Sequence, residues 1–413
     1  MSTKMQIRSS NVEDSSTLLP KDSAQSRSQG GYTKREWPQK LLRFLFFFML
    51  LASGIIMGVV ICSHLDRYLD TRSLLYPNFI SANSNSSCSI CNPKKTEDED
   101  ASMMKKAWLR PPSYLMHNMT DKELLWRASM VPIRKEYPFK RVPKVAFMFL
   151  TKGPLPFMPL WEKFFHGHEG LYSIYVHSLP NYKLQVSPKS VFYRRQIPSQ
   201  LAEWGRMSMC DAERRLLANA LLDFSNSRFV LLSESCIPIF NFNTVYDYLI
   251  ESQHSFVSSF DDKGPYGRGR YNPKMEPEVT LSQWRKGSQW FEVDRNLAIS
   301  IVADNFFYPK FKNYCTPACY VDEHYFPTML SIRFGSFLAN RSVTWVDWSR
   351  GGPHPGMFGK ADITVEFIGK IRNTQPCTYN NQTCSVCLLF ARKFAPNALE
   401  PLLHLASEVL GFG

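Results

Sequence analysis

The sequence predicts an α/β domain with a mostly parallel, Rossmann-like central sheet, preceded by a transmembrane helix and a stem. Three observations predict it. One charge-free run, FLFFFMLLASGIIMGVVIC (Phe44–Cys62), has the length a helix needs to cross a bilayer. Beyond it, VAFMFLT, LYSIYVHS and SRFVLLSES are short apolar runs of strand length. Helical patterns stand between them, and strand, helix, strand, helix, strand is the order of a parallel α/β sheet.

Residues 1–43 are polar, Ser-rich and aperiodic up to the apolar run, and read as a disordered cytosolic tail. Lys34, Arg35, Lys40 and Arg43 precede the run, whereas Asp66, Arg67, Asp70 and Arg72 mix their signs after it. The positive-inside rule then places residues 44–62 as a signal anchor, with everything beyond on the lumenal side. A cleaved signal peptide fits less well, because the run is long for such a segment and lies far from the N-terminus. Residues 63–143 read as a stem, polar and charge-blocked, ending in a short amphipathic piece, DKELLWRASM. The compact domain is expected over 144–413.

Within that domain VAFMFLT (145–151) is apolar throughout, as a strand buried on both faces should be. PFMPLWEKFF (156–165) reads as a helix and LYSIYVHS (171–178) as a second strand. DAERRLLANALLDF (211–224) predicts a helix capped by Asp211, with Leu217, Ala220, Leu221 and Phe224 on one face. SRFVLLSES (227–235) is the third strand. Parallel sheets bind ligands beyond the carboxyl ends of their strands. Thr151–Pro156, His177–Pro180 and Ser233–Pro238 are therefore expected to edge a site.

The predicted topology places four N-glycosylation sequons, at Asn85, Asn118, Asn340 and Asn381, on the lumenal side. Nine of the ten cysteines lie there too, where disulfides form. Cys88/Cys91 and Cys384/Cys387 have CxxC spacing, but they are too far apart in the chain for a zinc ribbon and lack a thioredoxin-like setting. Structural disulfides to other cysteines are the expectation. An odd number leaves one thiol free or bonded between chains, which would allow a disulfide-linked homodimer. The formal charge of +13 suits anionic partners. A lumenal location argues against nucleic acid and for sugar nucleotides or acidic polysaccharides.

Neither a Walker A sequence nor a dinucleotide glycine fingerprint is present, and GRGRYNP (267–273) reads as a loop. The Asp-x-Asp with which metal-dependent sugar-nucleotide enzymes follow a central strand is replaced by Ser233-Glu234-Ser235. Asp261-Asp262 could substitute as a metal site, although paired aspartates in such a loop are more often merely solvated. In GSQWFEVDRNLAISIVAD, Gln289-Trp290-Phe291 is followed by an amphipathic helix. CYVDEHYFPTML follows, with Asp322, Glu323 and His324 at the mouth of an apolar segment. Pro327 suggests that the helix starts near it, leaving Glu323 on the entering turn.

Five segments, VAFMFLTKGPLP, FVLLSESCIPIF, QWRKGSQWFEVDRN, CYVDEHYFPTML and VTWVDWSRGGPHP followed by LLFARKFAP, resemble the core-2/I-branching β-1,6-N-acetylglucosaminyltransferase family. The likeness is to its plant-type, brittle-culm-like subgroup. It implies a GT-A-type fold and a Golgi type II enzyme of the cell-wall or glycoprotein pathways. That enzyme would transfer a sugar, N-acetylglucosamine by the family name, from a UDP-sugar to a glycan or glycoprotein with inversion and no divalent metal. UDP-xylose and UDP-glucuronic acid are donors of relatives. By the resemblance Glu323 is the catalytic base and Lys393 contacts the donor diphosphate. Lys370 and Arg372 both fit a second diphosphate contact, and Trp345 fits the acceptor-side tryptophan. Asp322 is expected to be a cap, and His324 a structural residue or a neighbour of the base. Where animal members often have His-Val-Asp at the second strand end, this chain has Tyr175-Val176-His177, so that aspartate's uridine contact does not carry over. The cysteine pattern also departs from the family's. A catalytically silent carbohydrate-binding or scaffold protein on the same fold is the competing expectation. A glycoside hydrolase would need a second carboxylate across the sugar, and no other acid has Glu323's claim.

Overall fold

A computed structural model of the chain describes residues 46–54, 114–131, 137, 140–316, 319–373 and 375–413. It divides into two compact units, Met1–Pro93 and Lys94–Gly413. In the first, residues 46–54 are helical, and Phe46 to Leu51 are exposed. The rest of the predicted membrane span, the N-terminal tail and most of the predicted stem lie outside the described residues. Among the described residues no helix is long and apolar enough to cross a membrane.

The second unit is a mixed α/β domain. Strands β1 (Lys144–Leu150), β2 (Tyr172–His177) and β3 (Asn226–Ser233) are joined in the order β2-β1-β3 with parallel register. A fourth strand, β5 (Glu292–Asp294), adds antiparallel to β3. Period-two alternation divides β1 between two cores. Ala146, Met148 and Leu150 face one, while Val145, Phe147 and Phe149 face the other. Burial on both faces is why this strand is apolar throughout.

On the first face pack α3 (Met207–Leu221), α5 (Arg295–Val302), α6 (Tyr308–Tyr314) and α7 (Tyr325–Phe334), through Leu216, Leu217, Ile301, Phe311, Phe326 and Met329. On the second, α2 (Met158–Phe165) contributes Trp161, Phe164 and Phe165 around Phe147. The same core takes in α4 (Phe242–Ile250), α8 (Val365–Arg372) and α9 (Leu399–Leu405). A smaller sheet, β4 (Ile237–Pro238), β9 (Phe390–Arg392) and β6 (Thr344–Val346), continues from the end of β3.

Several expectations are corrected. The piece read as the end of the stem is helix α1 (Asp121–Ala128), and it belongs to the folded domain. A capping box of Thr120 and Glu123 starts it, Leu124 and Ala128 are buried, and Asp121 accepts two hydrogen bonds from Arg215 at 2.7 and 2.8 Å. The domain therefore begins well before residue 144. Asp211 caps nothing, because α3 starts a turn earlier; it accepts from the Tyr308 hydroxyl at 2.5 Å. Phe224 lies past the end of α3 and is exposed.

Cys387 pairs with Cys377, on strand β7 (Cys377–Tyr379), and not with Cys384 on its hairpin partner β8 (Gln382–Cys384). That fits the structural reading of this CxxC. Cys88 and Cys91 lie outside the described residues. Cys315 and Cys319 form a second disulfide, while Cys210, Cys236 and Cys384 are free thiols.

Candidate active site

The carboxyl edge of β3 gathers the chemistry. Because β5 is antiparallel to β3, the block that precedes β5 lies at that edge. Leu231 donates its N–H to the Phe291 carbonyl there at 3.0 Å. Gly287, at the start of the block, donates its N–H to the Glu323 carbonyl at 2.8 Å. A Cβ on Gly287 would lie 1.9 Å from the Ser258 carbonyl and 2.7 Å from Pro327, so the approach needs glycine. Glu323 is thus tied to the sheet edge by backbone.

Glu323 ends a single 3₁₀ turn, Val321–Glu323, just before α7, in which Pro327 occupies the first turn. Its side chain is partly exposed, and its Oε2 accepts from Arg270 Nη1 at 3.1 Å. The Arg270 guanidinium lies over the Tyr320 ring at 4.2 Å. Tyr320 enters the turn in left-handed backbone, φ 57°. A carboxylate with one solvent-facing side and one cationic neighbour can accept a proton from a hydroxyl placed beside it.

Asp322 is not a cap. It is buried, and its Oδ1 has no hydrogen-bond partner among the described residues. Burial, with the neighbouring Glu323 carboxylate adding repulsion, pushes it up to about 7. Beneath it Glu213 of α3 is also buried, raised far above the usual carboxylate range by burial and by Asp322. Glu213 accepts from Gln289 Nε2 at 2.8 Å, which gives the glutamine of the aromatic block its role. His324 is buried and structural. It bonds the Arg285 carbonyl through Nδ1 at 2.8 Å, stacks on Trp284 at 4.5 Å, and is held down to about 4 chiefly by burial. Two buried carboxyl groups, both pushed upward, therefore underlie the partly exposed carboxylate.

The other side of the edge is basic. Lys393 directly follows β9, and the next residue, Phe394, donates to the Ser235 carbonyl at 3.1 Å, beyond the end of β3. Among the described residues Lys393 forms no ion pair. Burial, then the charges of Arg392 and Lys152, lower its ammonium below the usual value, with Glu234 opposing. Arg392 lies over the Trp290 ring at 4.2 Å. Glu323 and Lys393 are thereby connected through one short segment: Gly287 bonds the first, and Trp290 carries the arginine beside the second.

Of the two further basic candidates, Arg372 is engaged. Its guanidinium donates to the Ile239 carbonyl at 2.5 Å and the Val409 carbonyl at 2.7 Å, and stacks over Phe240. Lys370 is exposed, and its charge reaches Asp347. Trp345, on β6, is half-buried against Phe358 and Phe367. At the end of β2 His177 is buried with Nδ1 unpartnered among the described residues, and burial holds it down to about 4.

Asp261 is clamped by Arg268 at 2.7 and 2.6 Å; Asp262 faces Lys286 at 3.6 Å and accepts from the Gly264 N–H. Those contacts account for both aspartates. Among the described residues no cluster of three His, Cys, Asp or Glu side chains could hold a metal ion. Asn118, Asn340 and Asn381 are exposed, as carbohydrate acceptors must be, and Asn85 lies outside the described residues. Arg270 and Glu213 were missed from sequence. Arg270 sits in a glycine-rich loop without periodicity, and Glu213 looks like one more charge on a helix.

A family model described as "Core-2/I-Branching enzyme" matches residues 145–372. The chain is also 37% identical over 309 residues to a protein of Oryza sativa subsp. japonica named Glycosyltransferase BC10, covering 64% of this chain and 76% of the relative.

Proposed function

The chain belongs to the core-2/I-branching enzyme family and is a glycosyltransferase, and from that premise we propose an inverting, metal-independent transfer from a UDP-sugar, N-acetylglucosamine by family, to a hydroxyl of a glycan or glycoprotein. The domain takes a GT-A-type fold, and the protein works as a type II membrane enzyme of the Golgi, its catalytic domain lumenal. Half-buried Cys384 is the thiol through which a disulfide-linked homodimer would form.

The observation that carries this reading is the edge itself: Glu323, partly exposed, on one side and Lys393, which forms no ion pair among the described residues, on the other. Glu323 takes the proton of the acceptor hydroxyl as its oxygen attacks the anomeric carbon. The bond from that carbon to the diphosphate oxygen breaks, and UDP leaves with the electron pair. Lys393, half-buried beside β9, and exposed Lys370 stabilise the charge that develops on the diphosphate. Arg270 fixes the rotamer of the base. Trp345 supports the acceptor beside β6.

The test is turnover of a panel of UDP-sugars by the purified full-length chain, in excess EDTA, with the anomeric configuration of donor and product followed by NMR. Transfer with inverted configuration, undiminished by EDTA, is expected. Retained configuration, or activity lost to EDTA and restored by a divalent cation, overturns it.

A further inference from the structure

Four segments far apart in sequence meet in an aromatic ladder that leads outward from Glu323. Arg270 pairs with Glu323 and lies under Tyr320. The edge of Tyr320 meets Trp204 at 4.8 Å between ring centroids, 72° apart. Trp204 in turn lies 5.3 Å from the His354 ring. Trp204 is 51% exposed, although it is held on two sides, and His354 is exposed. On the other flank of Arg270, Tyr266 is 65% exposed, with the guanidinium 5.5 Å from its ring.

The backbone is shaped around this contact. Gly205 has φ +74°, and a Cβ there would touch the Tyr320 ring at 3.3 Å. Tyr320 itself holds a left-handed φ that side chains seldom adopt. The turn that contains Gly205 is closed by Glu203 N–H donating to the Ser208 hydroxyl at 3.0 Å. An exposed tryptophan braced by two rings and a positive-φ turn gains nothing by burial; its cost is repaid when a ligand covers it.

We propose that Trp204, braced by Tyr320 and His354, is a stacking platform for a sugar ring of the acceptor beyond the one that bears the attacking hydroxyl. A pyranose presents a flat C–H face to an indole and keeps its hydroxyls in water, which is what a large, half-exposed ring offers. Continuity fixes the ligand class. The ladder starts at the ion pair of Glu323, so a saccharide whose hydroxyl reaches Glu323 passes over Arg270 and Tyr320 before it meets Trp204. The protein is thereby selective for extended acceptors over single sugars. This rests on the transferase reading above.

The experiment compares full-length wild type, Trp204→Ala and Trp204→Phe. The probes are methyl β-galactoside, β-glucoside, β-xyloside and β-N-acetylglucosaminide, each beside its β-linked trisaccharide. Saturation-transfer NMR reads saccharide binding without catalysis. Transfer from UDP-N-acetylglucosamine reads KM and kcat, and donor hydrolysis without acceptor reads the donor site. Trp204→Ala is expected to weaken the best trisaccharide about tenfold or more. Monosaccharide KM, kcat and donor hydrolysis should stay near wild type, and Trp204→Phe should recover most of the loss. Equal loss for single sugar and trisaccharide, or no loss for either, overturns the platform. A wild type that binds trisaccharides through Trp204 but turns over no donor would refute the transferase reading and leave the platform standing.

Discussion

Replacing Asp322 by asparagine keeps its shape and removes a carboxyl group that burial and Glu323 lift from 3.8 to about 7. Such a group binds its proton more tightly in the folded state than in the unfolded one. Below about pH 4 it is protonated in both and contributes no pH dependence. Between about pH 4 and 7 the unfolded chain sheds the proton first, so wild type loses stability as pH rises through the folded value. A shift of about three units corresponds to at most ~4 kcal/mol. Glu213, equally buried, shares the field, so ~2–4 kcal/mol is the expected range for Asp322→Asn. His177 and His324, both lowered to about 4, act with the opposite sign, but they are present in both chains and cancel in the difference. The assay is urea unfolding of full-length wild type and variant from about pH 4 to about pH 8. The stability of the variant relative to wild type should climb through that window. A difference that stays flat, or falls with pH, would refute the upward shift of the buried carboxyl.

Gly287→Ala should separate the Glu323 carbonyl from its donor, because the new Cβ has 1.9 Å to the Ser258 carbonyl; transfer should fall about a hundredfold or more while UDP affinity, measured by calorimetry, is less affected. Cys377→Ser opens the disulfide to Cys387 and should cost about 2–3 kcal/mol in urea unfolding. Phe147→Ala removes a ring packed among Trp161, Phe164 and Phe165, and should cost about 3–5 kcal/mol by the same assay.

The three parallel strands were legible because burial on both faces writes itself as unbroken apolar runs, and Phe147 and Met148 face opposite cores as period two requires. The turn that presents Glu323 was legible from Pro327, a residue tolerated in a first helical turn and not beyond. The docking of α1 was not. Its amphipathic pattern fits a stem as well as a domain, and contacts remote in sequence, the Asp121–Arg215 pair and the burial of Leu124 and Ala128 in the first core, decide between them. Capping failed at Asp211 for a related reason: a turn of Met207, Ser208 and Met209 carries no local signal, and tertiary contacts with the first core extend the helix through it. Arg270 was hidden because its partner is remote in sequence; of the aspartates before it, Asp261 pairs with Arg268 of the same loop and Asp262 faces Lys286. That Arg372 is engaged by two backbone carbonyls, of Ile239 and Val409, while Lys370 is exposed, is a difference no spacing could reveal.

Glu323 is the carboxylate proposed to take the acceptor proton, and Glu323→Gln in the full-length chain tests that role most directly. Transfer should drop about 10²–10⁴-fold, while UDP affinity and the thermal midpoint stay at wild-type values. A variant that keeps wild-type turnover with those two controls unchanged would show that the proton goes elsewhere.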